Sequence, residues 1–172
     1  MTLLPSAIAL GSNLGDSAAI LQGAITALRN HPHIRVTAVS DWYETAPVGP
    51  PQPNYLNGCA LLETDLAPEE LLRVMLAIET QFGRQRRERW GPRHLDLDLL
   101  FFGDVVMTTP TLQIPHPHLQ ERAFVLVPLA EIAPTWQDPI SGLTVAALLR
   151  KVDTSGVEWH APFSGLQAQG IE

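Results

Sequence analysis

Two aspartates separated by one residue, Asp96 and Asp98, are the side chains whose type and spacing most directly suggest chemistry. Side chains alternate between the two faces of a β-strand, so both carboxylates would lie on one face, roughly 6–7 Å apart. Carboxylates at that spacing can share hard cations, and Mg²⁺ in particular combines one or two of them with water and substrate phosphate. The alternative is a pair of solvated acids, but their mutual repulsion is unfavourable without a cation.

Just before these aspartates the chain concentrates its positive charge. Five of its arginines lie within residues 84–93, although the whole chain has a formal net charge of −7. Guanidinium groups bind phosphate oxygens bidentately and stay charged at physiological pH. The segment therefore predicts a polyphosphate site beside the metal site, with a solvated charge run as the alternative. The five are Arg84, Arg86, Arg87, Arg89 and Arg93.

Tyr55 and Asn57 form a second candidate pair, again two residues apart on a predicted strand. An aromatic ring beside a carboxamide suits a flat heterocycle that is stacked on one side and hydrogen-bonded along its edge. A buried core tyrosine is the alternative. The preceding proline-rich stretch, residues 46–53, is a candidate lid over such a ligand.

The segment 114–124 supplies the remaining candidates. Because Mg²⁺ avoids imidazole, we interpret His116 as a phosphate or ribose contact and His118 as a surface residue. Arg122 is a further candidate phosphate ligand, and Phe124 is a possible second stacking face.

Periodicity predicts the elements that must position these side chains. They are a strand over 6–10, a helix from Asp16 to about 30, strands over 34–43 and 55–63, a helix over 68–83 and a strand over 94–102. This order, β-α-β-β-α-β, is that of the ferredoxin-like plait, an α+β fold with an antiparallel sheet and both helices on one face. We expect the other face to be open for a ligand. GSNLGD, residues 11–16, is interpreted as a tight turn and helix cap, because it lacks the residues of phosphate-binding loops.

The rest of the chain is predicted to be a C-terminal extension of the plait. It contains an extended piece near 112–115, helical candidates at about 120–132 and 144–151, and a tail over 153–172 with a strand fragment and no assigned role. A length of 172 residues predicts one domain over 1–172.

Composition excludes several classes of function. The acidic balance argues against a nucleic-acid binder, and no apolar stretch approaches the roughly 20 residues that cross a bilayer. A single cysteine, Cys59, excludes an intramolecular disulfide framework and favours a reducing compartment, so we expect a cytoplasmic protein.

The block RWGPRHLDLDLL at 89–100 resembles the 6-hydroxymethyl-7,8-dihydropterin pyrophosphokinases of folate biosynthesis. GSNLG near the start, YLN at 55–57, and PHP followed by Arg122 and Phe124 extend the resemblance, which covers about residues 6–150. It implies a ferredoxin-like core. It also implies a reaction in which the β,γ-pyrophosphoryl group of MgATP passes to the hydroxymethyl oxygen of the pterin and AMP is released.

The resemblance also implies residue roles. Asp96 and Asp98 would hold two Mg²⁺ ions, and Arg84 and Arg93 would be catalytic with them. No role is implied for Arg86, for Arg87 or for the tail. The implied ATP contacts are Arg84, Arg89, Arg93, His116 and Arg122, and the implied pterin contacts are Thr45, Val48, Tyr55, Asn57 and Phe124.

Two other functions stay open on the sequence. One is another two-metal nucleotidyl or phosphoryl transferase on a ferredoxin-like palm. The other is an RNA-binding plait, which the acidic charge and the absence of aromatic residues from the first strand oppose. For the pyrophosphokinase we expect small-molecule substrates, a monomer, and no nucleic-acid or membrane partner.

Overall fold

The computed structural model describes residues 2–47, 51–83 and 94–163, so the predictions for Val48, for the arginines of 84–93 and for the end of the tail fall outside the described residues. The strands are β1 (Leu4–Ser12), β2 (Ile34–Val39), β3 (Trp42–Thr45), β4 (Tyr55–Thr64), β5 (Asp96–Phe102), β6 (Met107–Thr108), β7 (Gln113–Ile114) and β8 (Val157–Ala161). The helices are α1 (Ser17–Arg29), α2 (Pro68–Gln81), α3 (Ala123–Ile132) and α4 (Val145–Leu149), with a 3₁₀ turn over Leu119–Glu121.

Six strands form one antiparallel sheet in the order β5-β1-β4-β3-β8. β2 pairs with β4 on the same edge as β3, while β1 occupies the other edge of β4 along its whole length. β6 and β7 form a separate two-stranded ribbon. Central placement of β1 and β4 is what brings residues distant in sequence into neighbouring positions.

α1 and α2 cover the first face of the sheet, as the apolar stripes predict. α1 begins where predicted, because the Asp16 side chain accepts a hydrogen bond from the Ala19 N–H at 3.2 Å. α2 begins with Pro68 and is followed by Gly83, whose φ of +85° is the left-handed conformation that ends a helix. Leucines of β5 alternate onto this face and pack beneath the helices.

The prediction of a single strand over 34–43 is wrong, because the segment forms two strands, β2 and β3, with a break at Ser40. The Ser40 hydroxyl accepts a hydrogen bond from the Cys59 N–H at 2.9 Å, so a side chain replaces the backbone partner there. Beside it the Trp42 ring lies over Gly58, where an added Cβ would come within 2.4 Å of the ring. The interruption lets the tryptophan enter the core.

The second face is not fully open, which corrects another prediction. α3 and α4 cover part of it, packing against Ala7, Ala9 and Cys59 of the central strands. Burial raises the pKa of the Cys59 thiol, which keeps it protonated and unreactive. α3 is also tied to β3, since the Tyr43 hydroxyl donates a 2.7 Å hydrogen bond to Glu131. The extension thus supports the sheet.

The predicted strand fragment in the tail is present as β8, which pairs with β3 at the edge of the sheet. The extended piece near 112–115 contains β7, and the two helical candidates correspond to the 3₁₀ turn with α3 and to α4. None of the helices that the structure describes is long and apolar enough to cross a bilayer.

Candidate active site

Polar residues from three adjacent strands line up across the uncovered end of the second face, which is the end that α3 and α4 do not cover in the described part of the chain. Gly11 of β1 pairs with Asp96 on one side and with Asn57 on the other. Asp98 follows on the same face of β5, because the intervening Leu97 points into the core under the helices. Neighbouring strands are about 4.8 Å apart, so the backbones of Asp96 and Asn57 lie about 10 Å apart with Gly11 between them.

Asp98 lies beside His116 and Arg122, the two residues of segment 114–124 that the sequence predicts to contact phosphate. Its carboxylate is 4.0 Å from His116 Nε2 and 3.9 Å from Arg122 Nη1. The His116 N–H donates to the Leu100 carbonyl at 3.0 Å, which fixes this segment along β5. The structure therefore brings together a carboxylate, an imidazole and a guanidinium at one edge of the sheet.

His116 is a neutral hydrogen-bond donor in this arrangement. Its Nδ1 accepts a hydrogen bond from the His118 N–H at 3.1 Å, so the proton of the neutral ring lies on Nε2, which faces Asp98. Burial, then the charge of Arg122 and then His118, lower its pKa from 6.5 to about 4. At neutral pH the contact with Asp98 is thus not an ion pair.

Asn57 is held in one orientation by Thr45. Both residues are buried, and the Asn57 Nδ2 group donates a 2.7 Å hydrogen bond to Thr45 Oγ1. The amide oxygen Oδ1 points to the Gly11 side, where a Cβ on Gly11 would be 2.9 Å away. The oxygen edge of the amide is therefore directed over Gly11, toward β5.

The two predicted aromatic walls lie on the same side of the sheet as Asn57. Tyr55 is half-buried at the start of β4, two residues before Asn57, and its ring approaches the Gly11 position to 3.5 Å. Phe124 is in the first turn of α3, with the Arg122 guanidinium carbon 5.7 Å from its ring centroid. A flat ligand bound on this face, beside Asn57, would have the aromatic rings of Tyr55 in β4 and Phe124 in α3 on the same side of the sheet.

Comparison with known proteins supplies the family. The model of the 7,8-dihydro-6-hydroxymethylpterin-pyrophosphokinase (HPPK) family matches residues 7–134. The chain belongs to the HPPK family. It is therefore a pyrophosphokinase enzyme of folate biosynthesis.

Relatives and solved structures agree with this family. A 2-amino-4-hydroxy-6-hydroxymethyldihydropteridine pyrophosphokinase of a Synechocystis species is 52% identical over 95% of this chain and 83% of its own length. The protein of the same name from Pseudomonas aeruginosa is 46% identical over 88% of this chain and 93% of its own. Plasmodium falciparum HPPK-DHPS superposes with a TM-score of 0.69 at 15% identity, covering 87% of this chain and 44% of that chain. That last likeness concerns the fold, and it confirms the α+β plait.

The carboxylates of this HPPK-family chain fit a metal that takes part of its coordination from substrate. Among the described residues, no group of three or more His, Cys, Asp or Glu side chains could enclose a metal ion. Asp96 and Asp98 supply oxygen donors on a half-exposed surface, which is what Mg²⁺ uses together with water and phosphate. Neutral His116, a poor Mg²⁺ ligand, is then available to donate to a phosphate oxygen.

Sequence reasoning missed Gly11, near the end of β1, and Asn13, in the turn between β1 and α1. Gly11 is the floor of the row, and Asn13 ties this turn to the proline-rich segment through hydrogen bonds to Gln52 Oε1 at 2.8 Å and to the Pro53 carbonyl at 2.9 Å. GSNLGD was interpreted as a structural turn, and the Asp16 cap confirms that part. A polar residue as small as Asn13 gives no sequence signal of a partner some 40 residues away.

Proposed function

We propose that the uncovered end of the second face is the site at which the chain transfers the β,γ-pyrophosphoryl group of ATP to the hydroxymethyl oxygen of 6-hydroxymethyl-7,8-dihydropterin. The observation that carries this proposal is the placement of Asp96 and Asp98 on one face of β5, with His116 and Arg122 beside Asp98. ATP as co-substrate follows from the family. Assignment of these side chains to the reaction is the proposal.

The chemistry requires positioning and charge stabilisation more than a strong base. The hydroxymethyl oxygen attacks the β-phosphorus, the bond from that phosphorus to the bridging oxygen of the α-phosphate breaks, and AMP leaves. Mg²⁺ held by Asp96 and Asp98 would neutralise phosphate charge and activate the hydroxyl. Arg122 and the Nε2–H of His116 would hold phosphate oxygens next to those carboxylates.

The pterin would bind on this face of the sheet, between Asp96 and Asn57. Its edge has alternating donors and acceptors, which the oriented amide of Asn57 can read. Tyr55 and Phe124 would stack on the ring, and Thr45 would act by holding Asn57. This arrangement would place the hydroxymethyl group toward β5, where the phosphates bind.

Other sequence predictions belong to the same proposal. Arg84, Arg89 and Arg93 as phosphate ligands, and Val48 as a pterin contact, stay predictions. The same is true of a second Mg²⁺, of a monomeric state, of a single domain over 1–172 and of a cytoplasmic location.

Product analysis tests the reaction and the site together. The chain is incubated with ATP, Mg²⁺ and the hydroxymethyl-dihydropterin, and nucleotides are separated by ion-exchange chromatography. We expect AMP and the pterin diphosphate in equal amounts. ADP would contradict pyrophosphoryl transfer, and released pyrophosphate would indicate a nucleotidyl transferase. An Asp96→Asn variant that keeps the native circular dichroism spectrum should form no AMP; normal AMP formation would remove Asp96 from the site.

A further inference from the structure

Glu79 is a buried carboxylate on the otherwise apolar inner face of α2. Its side chain is 2% exposed, while the other buried residues of this helix are Leu71, Met75 and Ile78. A carboxylate buried to this extent is unfavourable unless it is hydrogen-bonded. One of its oxygens, Oε2, accepts a hydrogen bond of 2.7 Å from the Leu97 backbone N–H. At 2.7 Å this bond is short for a backbone N–H donor.

Leu97 is the residue between the two aspartates of the site. β5 is at the end of the strand order, so its residues direct their N–H groups alternately to β1 and to the outer edge. Leu97 directs its N–H outward to Glu79. Asp96 and Asp98, which pair with Gly11 and Ala9, direct theirs inward to β1. The peptide unit joining Asp96 to Leu97 is thereby held from both sides.

This bond acts where the strand is least supported. Asp96 is the first residue of β5, and the outer edge of the strand has no strand neighbour among the described residues. Strand ends at a sheet edge fray most easily. A bond from the helix to the second residue of the strand fixes the backbone from which both carboxylates project, and with it their spacing.

We propose that Glu79 is a positioning residue that sets the geometry of the Asp96–Asp98 pair through the Leu97 N–H, an inference that rests on the metal role proposed for those aspartates. A second buried carboxylate shows the contrast. Asp138 is also 2% exposed, but its hydrogen bonds are to the Ile140 N–H and the Ser141 hydroxyl of its own turn and to the Gln120 amide, none of which is in β5. Asp138 provides the matched control.

Two variants change the length of a buried side chain by one methylene, and a third replaces the Glu79 carboxyl by an amide. Glu79→Asp keeps the carboxyl group but draws its oxygen back from the Leu97 N–H, whereas Glu79→Gln keeps an acceptor oxygen at the same reach. Asp138→Glu perturbs a buried carboxylate to a similar extent away from β5. All are made in the full chain, and a dispersed amide spectrum establishes that each is folded.

The first measurement uses the metal-free protein and does not involve turnover. In the wild type, the Leu97 amide should be protected from hydrogen exchange although it faces the outer edge of the sheet. In Glu79→Asp we expect exchange at Leu97 to quicken about tenfold, as loss of one hydrogen bond implies, while Glu79→Gln and Asp138→Glu stay close to the wild type. Rapid exchange of Leu97 in the wild type would overturn the inference, even if a variant did not fold.

The second measurement is Mn²⁺ binding in the presence of the α,β-methylene analogue of ATP, followed by electron paramagnetic resonance. We expect the half-saturating Mn²⁺ concentration to rise about tenfold in Glu79→Asp, the scale of one hydrogen bond. It should stay near the wild-type value in Glu79→Gln and in Asp138→Glu. An unchanged value in Glu79→Asp, or an equal rise in Asp138→Glu, would overturn the positioning role alone. Failure of the wild type to bind Mn²⁺ with the analogue would contradict the proposed function as well.

Discussion

The second face of the sheet has two ends that are built from the same three strands. At the covered end, β1, β4 and β5 place Ala7, Ala9, Cys59 and Phe101 beneath α3 and α4. A few residues along each strand, the same face presents Gly11, Asn57, Asp98 and Asp96. The strands do not change; the alternate residues on this face change from small or apolar to polar.

The difference shows how one sheet serves two purposes. Small side chains at the covered end let α3 approach closely, and the resulting packing fixes the strands. Because the same strands continue into the polar end, their backbone is rigid there as well, and the polar side chains keep a fixed spacing. Covering by α3 and α4 is thus confined to the first end, which separates stability from binding, and this separation can be tested.

The largest effect is expected for Asp98→Asn at the polar end. Loss of the charge that would hold the cation should lower kcat by about a thousandfold or more, the scale of losing a main electrostatic stabiliser, with little change in melting temperature because Asp98 is 45% exposed. The control is Asp104→Asn in the exposed turn after β5, which should keep normal turnover. Steady-state kinetics and thermal unfolding give both values; a small loss of kcat would place the reaction elsewhere.

At the covered end, Phe101→Ala should show the opposite pattern. Phe101 is fully buried and stacks on Trp136 with ring centroids 5.3 Å apart. We expect the free energy of unfolding to fall by about 3–5 kcal/mol, with kcat and KM little changed at a temperature where the variant is folded. Urea denaturation measures the first quantity. Trp159→Ala, at an exposed aromatic, is the control and should have a much smaller effect. A large loss of kcat in folded Phe101→Ala would contradict the view that the covered end contributes to stability and not to turnover.

His116 should make the metal-free protein sensitive to acid. Its pKa is lowered to about 4 in the folded state from 6.5, so between these values the unfolded chain binds a proton that the folded chain does not. The free energy of unfolding should therefore fall by up to about 3 kcal/mol as pH falls from 6.5 to 4. His116→Gln should remove this part of the pH dependence, whereas His118→Gln should keep most of it, because His118 is the smallest of the three causes that lower the pKa of His116; denaturation curves taken across that range measure both. Equal behaviour of the two variants would contradict a buried neutral His116.

The sequence predicts which residues of β5 and α2 face the core, but it does not predict every feature of the two ends of the sheet. Alternation in HLDLDLLFF and the stripe of α2 depend on local periodicity, so the faces of β5 and of α2 follow from the residues themselves. The break at Ser40 and the cover formed by α3 depend on contacts between distant segments, such as the Ser40 hydroxyl with Cys59. Gly11, Asn13 and Glu79 escaped prediction for the same reason, since each acts through a partner on another element.

The smallest effect is expected for Gly11→Ala. The added Cβ would lie 2.9 Å from Asn57 Oδ1, closer than such contacts allow, so the amide must turn or shift. We expect the KM for the pterin to rise about tenfold, equivalent to about 1.4 kcal/mol, with a smaller change in the KM for ATP. Gly156→Ala, where an added Cβ meets nothing within 4 Å, should leave both constants unchanged. Equal increases in the two KM values would argue against a pterin subsite at Asn57.

The most direct test of the account is to locate the bound cation on this face. Mn²⁺ is added with the α,β-methylene analogue of ATP to the isotopically labelled protein, and broadening of backbone amide signals is measured by NMR. We expect strong broadening at Asp96, Asp98, Gly11 and His116, with sharp signals retained at the covered end around Ala133 and Val145. Broadening centred on the covered end, or none on β5, would contradict it.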